Sequence, residues 1–224
     1  MKKTNKKSDL WPILLGVLVV AAIAGVVIFF SIQSKTPVKK DRVQAADDGV
    51  LKDYEKEGII TLGDYSDVSG LATKEDLSTE NTDDPNDLLW ENYLATCKIS
   101  SYPKELVTEA KEDLETQYVG FAEASGMSYE EVMESYGFDD ASIDESAKDE
   151  VFGRLVAKTI ANRENLTITD DKYRSALIEL DGWDDKTSAV AEVEKNYIET
   201  SSVRPHDDVY VVLVKEFLME KWKV

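Results

Sequence analysis

The stretch from Ser142 to Tyr173, SIDESAKDEVFGRLVAKTIANRENLTITDDKY, constrains the fold more than any other part of the chain. Ala147, Val151 and Leu155, together with Phe152, Val156 and Ile160, recur at three- and four-residue spacing and therefore share one helical stripe. Ser142 and Glu145 have the spacing at which a hydroxyl and a carboxylate cap a helix start reciprocally. Thr169, followed by Asp170 and Asp171, marks a second start. Lys148, Asp149, Arg154, Lys158 and Arg163 occupy the face opposite the stripe. A helix of about six turns with so wide an apolar face is not stable alone and needs other helices to cover it. The expected fold class is all-α.

Charge is distributed unevenly. The chain has 224 residues and a formal charge of −19, but residues 1–40 carry seven Lys and one Asp, leaving −25 on the remainder. Such an acidic body repels nucleic acid and anionic lipid heads, so no nucleic-acid partner is expected. The single cysteine, Cys97, rules out an intrachain disulfide and reads as a small apolar side chain.

Residues 1–9 form a basic tail with Lys2, Lys3, Lys6 and Lys7. Residues 10–32, LWPILLGVLVVAAIAGVVIFFSI, contain no charge over 23 positions. At about 1.5 Å per residue they cross a hydrocarbon core of about 30 Å. The apolar run is longer than a signal-peptide core and no small-residue cleavage site follows, so an uncleaved transmembrane helix is expected. Basic residues are tied on its two flanks. The short basic N-terminus favours a single-pass cell-membrane protein with its C-terminal domain outside the cytoplasm. Residues 33–87 are rich in Lys, Asp, Glu, Ser and Thr and read as a flexible acidic linker with a short strand-like island at 59–65.

Residues 88–224 read as a multi-helix domain. Pro103 opens a helix with the stripe Leu106, Val107, Ala110, Leu114, Tyr118 and Phe121, and Gly126 stands where a left-handed cap ends it. Ser128 and Glu131 form another capping box before Val132, Met133 and Tyr136. Gly182 closes the Thr169 helix, and Ala189, Val193 and Tyr197 mark the next one. After Pro205, the run VYVVLV has β-branched character, but Val209, Val212, Leu213 and Phe217 fit helical spacing better.

Chemistry is hard to find in this sequence. His206 is the sole histidine, which excludes His triads and multi-His metal sites and leaves a residue at a helix start. The acidic run DDPND lacks EF-hand spacing, and the segment beginning at Asp181 has Trp183 and Lys186 where a ligand and a glycine belong. No catalytic residue, metal site or cofactor is expected. What remains is aromatic and methionine content on helices: Tyr118, Phe121, Met127, Tyr129, Met133, Tyr136, Phe138 and Phe152. These side chains serve either as core or as a pliable surface that accepts apolar segments of other chains.

Residues 102–224 resemble the C-terminal, substrate-binding domain of trigger factor, a bacterial folding chaperone. The matching features are Tyr102-Pro103-Lys104-Glu105-Leu106 at the start of a long helix and Gly126-Met127-Ser128-Tyr129-Glu130-Glu131 at a turn. Ala147, Val151, Leu155 and Ala161 leading into Leu166-Thr167-Ile168-Thr169-Asp170-Asp171 match further, as does the closing segment from Val209 to Val224. The resemblance implies extended helical arms that hold clients. It does not extend to the family's ribosome-docking and prolyl-isomerase domains. Only about two dozen residues separate the 59–65 island from Leu88, too few for an isomerase barrel. The expected function is a membrane-anchored, ATP-independent holdase for unfolded or nascent exported polypeptides, contacting them through the eight residues just named. The alternatives are a single-pass envelope protein whose helical domain docks one dedicated partner and, below it, a prolyl isomerase.

Overall fold

The computed structural model describes residues 42–73, 84–182 and 189–223. Within them the chain is mostly α-helical. A minimal strand β1 (Ile60–Thr61) is followed by α1 (Pro85–Leu94), β2 (Lys98–Ile99), α2 (Lys104–Ser125), α3 (Tyr129–Tyr136), α4 (Asp140–Glu164), α5 (Asp170–Asp181), α6 (Val190–Thr200) and α7 (Pro205–Trp222). Among the described residues no helix is long and apolar enough to cross a membrane. The apolar run at 10–32 lies outside them.

Local sequence chemistry sets most helix ends. Ser128 accepts from the Glu131 amide while the Glu131 carboxylate accepts from the Ser128 amide, completing the expected box at α3. Thr169 caps α5, and Gly126, Gly137 and Gly182 end α2, α3 and α5 in the left-handed region. Asn165 ends α4 at φ 56° without a glycine, which its short amide side chain permits. The start of α4 differs from expectation. Asp139 is its cap, accepting from the Ser142 amide at 2.8 Å, and Ser142 returns the bond to the Asp139 amide at 2.8 Å. Ser142 therefore fills the third helical position instead of the cap, because Asp139 offers the stronger acceptor one turn earlier. VYVVLV is helical within α7.

α4 is the central element. It is buried over most of its length and packs chiefly against α2 and α7. Of the stripe legible in the sequence, Ala147, Val151, Leu155, Val156 and Ile160 are at most 1% exposed, and Phe152 is half-buried. α5, α6 and the first turns of α7 enclose a second, smaller cluster around Leu177, Val193, Tyr197 and Val209.

Residues 42–73 are not a linker. β1 pairs antiparallel with β2, Ile60 opposite Ile99 and Thr61 opposite Lys98. Tyr54, Ile60 and Tyr65 are buried in the main core. The Tyr65 ring meets Tyr93 edge-on at 6.1 Å, Tyr93 meets Trp222 at 6.1 Å, and the Trp222 indole donates to the Tyr65 carbonyl at 3.1 Å. The polar composition of this segment hid three widely spaced apolar anchors, each enough to hold its neighbourhood on the helices. The Tyr54 phenol, pushed up to about 12 by burial, reflects the same enclosure.

Candidate functional site: an apolar groove beside a buried charge centre

Of the eight residues expected to line a client surface, three are buried. Tyr118, Phe121 and Met133 are 2%, 6% and 9% exposed. Met127, Tyr129, Phe138 and Phe152 are half-buried, and Tyr136 alone is exposed. Four of them form one chain of rings: Phe121 to Tyr136 at 5.8 Å, Tyr136 to Phe138 at 6.0 Å and Tyr118 to Phe138 at 5.2 Å. Met127 packs on a small satellite core of Phe121, Ala122 and Val132 under the α2–α3 hairpin. The reason is geometric. Gly126 turns the chain from α2 into α3 and Gly137 turns it again after α3, where Tyr118, Phe121, Tyr136 and Phe138 become ring partners. Tyr129, Phe138 and Phe152 pack against the main core, and the Tyr118 phenol is pushed up to about 12 by burial.

An apolar depression does exist elsewhere, between α5 and α7. Ile168, Ala176, Val209, Val212 and Leu213 form its floor, and Asp171, Glu179 and Glu216 stand around it, enclosing about 300 Å³. Lys172 reaches across from α5 to Glu216 on α7 at 2.7 Å, with both side chains more than half exposed. An ion pair so wet is worth about 0–1 kcal/mol and yields easily to a ligand.

Next to the groove lies a buried charge centre. Arg154 and Lys158 are 3% and 2% exposed, although the periodicity places them on the polar face of α4. Arg154 donates from Nε to Asp208 at 2.6 Å and from Nη2 to Ser202 at 2.9 Å, and it also pairs with Glu150. Lys158 donates to Asp207 at 2.6 Å. Asp113 of α2, wholly buried, takes Arg42 and the Val203 amide. Burial pulls the Arg154 guanidinium down, but Asp208 and Glu150 outweigh it and hold the group above its ordinary value. Asp113 Oδ2 and Arg154 Nη1 have no hydrogen-bond partner and lie on facing groups within 3.8 Å at the closest salt-bridge contact. The sequence offered one clue to this centre: Asp113 falls between the core positions Ala110 and Leu114 of an apolar stripe.

The segment 42–50 reaches the same centre. Asp48 accepts from the His206 amide and the Asp207 amide, each at 3.1 Å, and from the His206 ring at 3.1 Å. Tyr173 stacks on the His206 ring at 4.1 Å, Gln44 bonds to it, and Glu194 and Asp207 add negative charge nearby. The hydrogen bond to Asp48 raises the His206 pKa above 6.5 against the opposing effect of burial. Burial pushes the Asp48 carboxyl up, yet the bonds from His206, Gln44 and the two amides more than cancel this and hold it below 3.8. The His206 contribution is thus fully present below about pH 6.5 and is lost as pH rises through its raised value. The Asp48 contribution is present above about pH 3.9 and is lost as pH falls through its lowered value. Because His206 is the only histidine, its ring protons can be followed by NMR without ambiguity. Titration is expected above 6.5 in the native protein and nearer 6.5 in Asp48→Asn; an unchanged midpoint in the variant would remove Asp48 as the cause.

No family model, curated protein or solved structure matches the chain. Among the described residues no group of His, Cys, Asp and Glu is arranged to hold a metal ion. Of the features just described, the groove is an open depression whose lining mixes apolar side chains with charged ones.

Proposed function

We propose that the chain is a membrane-tethered, ATP-independent polypeptide-binding protein of the holdase type, which takes short apolar segments of unfolded or newly exported chains into the α5–α7 groove. The observation that carries this reading is the groove itself, an apolar floor of Ile168, Val212 and Leu213 under a predominantly acidic rim of Asp171, Glu179 and Glu216, the last paired with Lys172. Its complement is an apolar segment flanked by Lys or Arg. The resemblance of residues 102–224 to the trigger factor C-terminal domain supports the same class of activity. Three of the eight aromatic and methionine residues are sealed, so the contact is one segment at a time and not a broad cradle. If residues 10–32 span the membrane, the nine residues 33–41 reach at most about 32 Å, which keeps the groove close to the bilayer. That proximity raises the local concentration of binder for chains emerging there.

The sealed core also gives specific support to a second reading, in which the groove docks one dedicated partner. Both are tested on the full chain in nanodiscs with fluorescent peptides that have an apolar centre and Lys or Glu flanks. The Lys-flanked peptide should bind and the Glu-flanked one should bind more weakly. Leu213→Glu should weaken binding by more than tenfold, since it places a charge on the apolar floor. Suppressed aggregation of several unrelated unfolded proteins, lost in Leu213→Glu, supports the holdase. Peptide binding without any such suppression points to the dedicated partner, and no binding of the Lys-flanked peptide overturns the groove as a site.

A further inference from the structure

The helix that forms one wall of the groove is started by a part of the chain far away in sequence. Arg204 holds the cap position of α7 but gives no side-chain cap bond. The Asp48 carboxylate takes its place, accepting from the first-turn amides of His206 and Asp207, and the Gly49 amide donates to Asp207 at 2.8 Å. Gly49 is suited to this approach: its φ is +71°, and a Cβ there would lie 2.6 Å from the His206 Cβ. Arg42 secures the other end of the segment on Asp113. These attachments are polar. Val43 and Val50 are 78% and 44% exposed, so hydrophobic burial does little to hold residues 42–50. One turn beyond the capped amides, Val209, Val212 and Leu213 form the groove floor.

We propose that residues 42–50 are a releasable latch on the groove: docked, they fix the first turns of α7, and undocked, they let those turns fray and the floor lose its shape. Residues 33–41 join this latch to the apolar run at 10–32, so a pull on the tether acts first on the Arg42–Asp113 pair and then on the Asp48 cap. The latch links the point of attachment to the affinity of the groove, and in that respect it rests on the function proposed above.

Hydrogen exchange on the full chain in nanodiscs tests it, with a peptide arm run in parallel. In Asp48→Ala, and independently in Gly49→Ala, amides from 206 to 213 should exchange about tenfold faster, the usual effect of losing a cap. Amides 151–160 in α4 should be unchanged, and Val43→Ser should leave both regions unchanged. Affinity for the Lys-flanked peptide should fall severalfold in the two latch variants. Unchanged exchange at 206–208, acceleration that stops at 208, or equal acceleration in α4 would each overturn the latch. Fraying that reaches 213 in a protein that never binds the peptide would leave the latch standing and sink the proposed function. Fraying that reaches 213 with undiminished peptide affinity would remove the coupling.

Discussion

Arg154→Met is expected to destabilise the domain by about 3–5 kcal/mol, the usual penalty for stranding a buried charge. The substitution roughly preserves the aliphatic stem while removing the guanidinium that serves Asp208, Glu150 and Ser202 and stands 3.8 Å from Asp113. Asp208 is 13% exposed at its side chain and would still accept from the Tyr197 hydroxyl at 3.2 Å. The penalty comes from these leftover carboxylates more than from the lost attraction, because pairing charges in a dry interior roughly balances the cost of drying them. Arg154→Met/Asp208→Asn should therefore be less destabilised than the sum of its single variants. Denaturant midpoints at constant slope provide the measurement. Strict additivity would mean that the two groups act separately and that the centre is a collection of unrelated pairs.

The second large effect is expected at Tyr93. This residue is fully buried, and its ring touches Tyr65, Trp90 and Trp222 at centroid distances of 6.0 to 6.1 Å. It is the meeting point of the 42–73 segment, α1 and the end of α7. Tyr93→Ala removes the ring from all three and should cost about 3–5 kcal/mol, with Trp emission shifted to longer wavelength as Trp90 and Trp222 gain water. Tyr93→Phe should be mild, since its hydroxyl bond to the Gly63 carbonyl is long, at 3.4 Å. A loss confined to fluorescence, with stability retained, would show that residues 42–73 contribute no structural support at this point.

The helices were legible in the sequence because they obey local rules. Capping boxes, left-handed glycines and the period of Val151, Leu155 and Ile160 are statements about neighbours within one or two turns. The charge centre and the packing of the 42–73 segment, apart from the strand-like island at 59–65 that contains β1, were not legible, because each is decided at a distance. Arg154 looks like a solvent residue until Asp208 arrives from α7, and Asp48 looks like linker charge until it meets the start of the same helix. The burial of some aromatic residues was decided at a distance too. Tyr118, Phe121 and Phe138 count as surplus apolar area only if α3 stands apart, and the turn at Gly126 lays it beside α2, where their rings meet one another and Tyr136. Ile168, Val212 and Leu213, which floor the groove, are ordinary members of apolar stripes, and only the spacing of α5 from α7 leaves them accessible.

α7 is held at its first turn by Asp48 and at its last by the Tyr65 carbonyl, contacts that close across 157 to 159 positions of chain. Biosynthesis runs from the other end. When Tyr54, Tyr65 and Tyr93 have been made, the helix that packs on Tyr65 and Tyr93 through Trp222 does not yet exist, so these contacts wait for α7. A chain shortened by even the last turn, with Trp222 missing, would have every other helix and still lack the piece that shuts it.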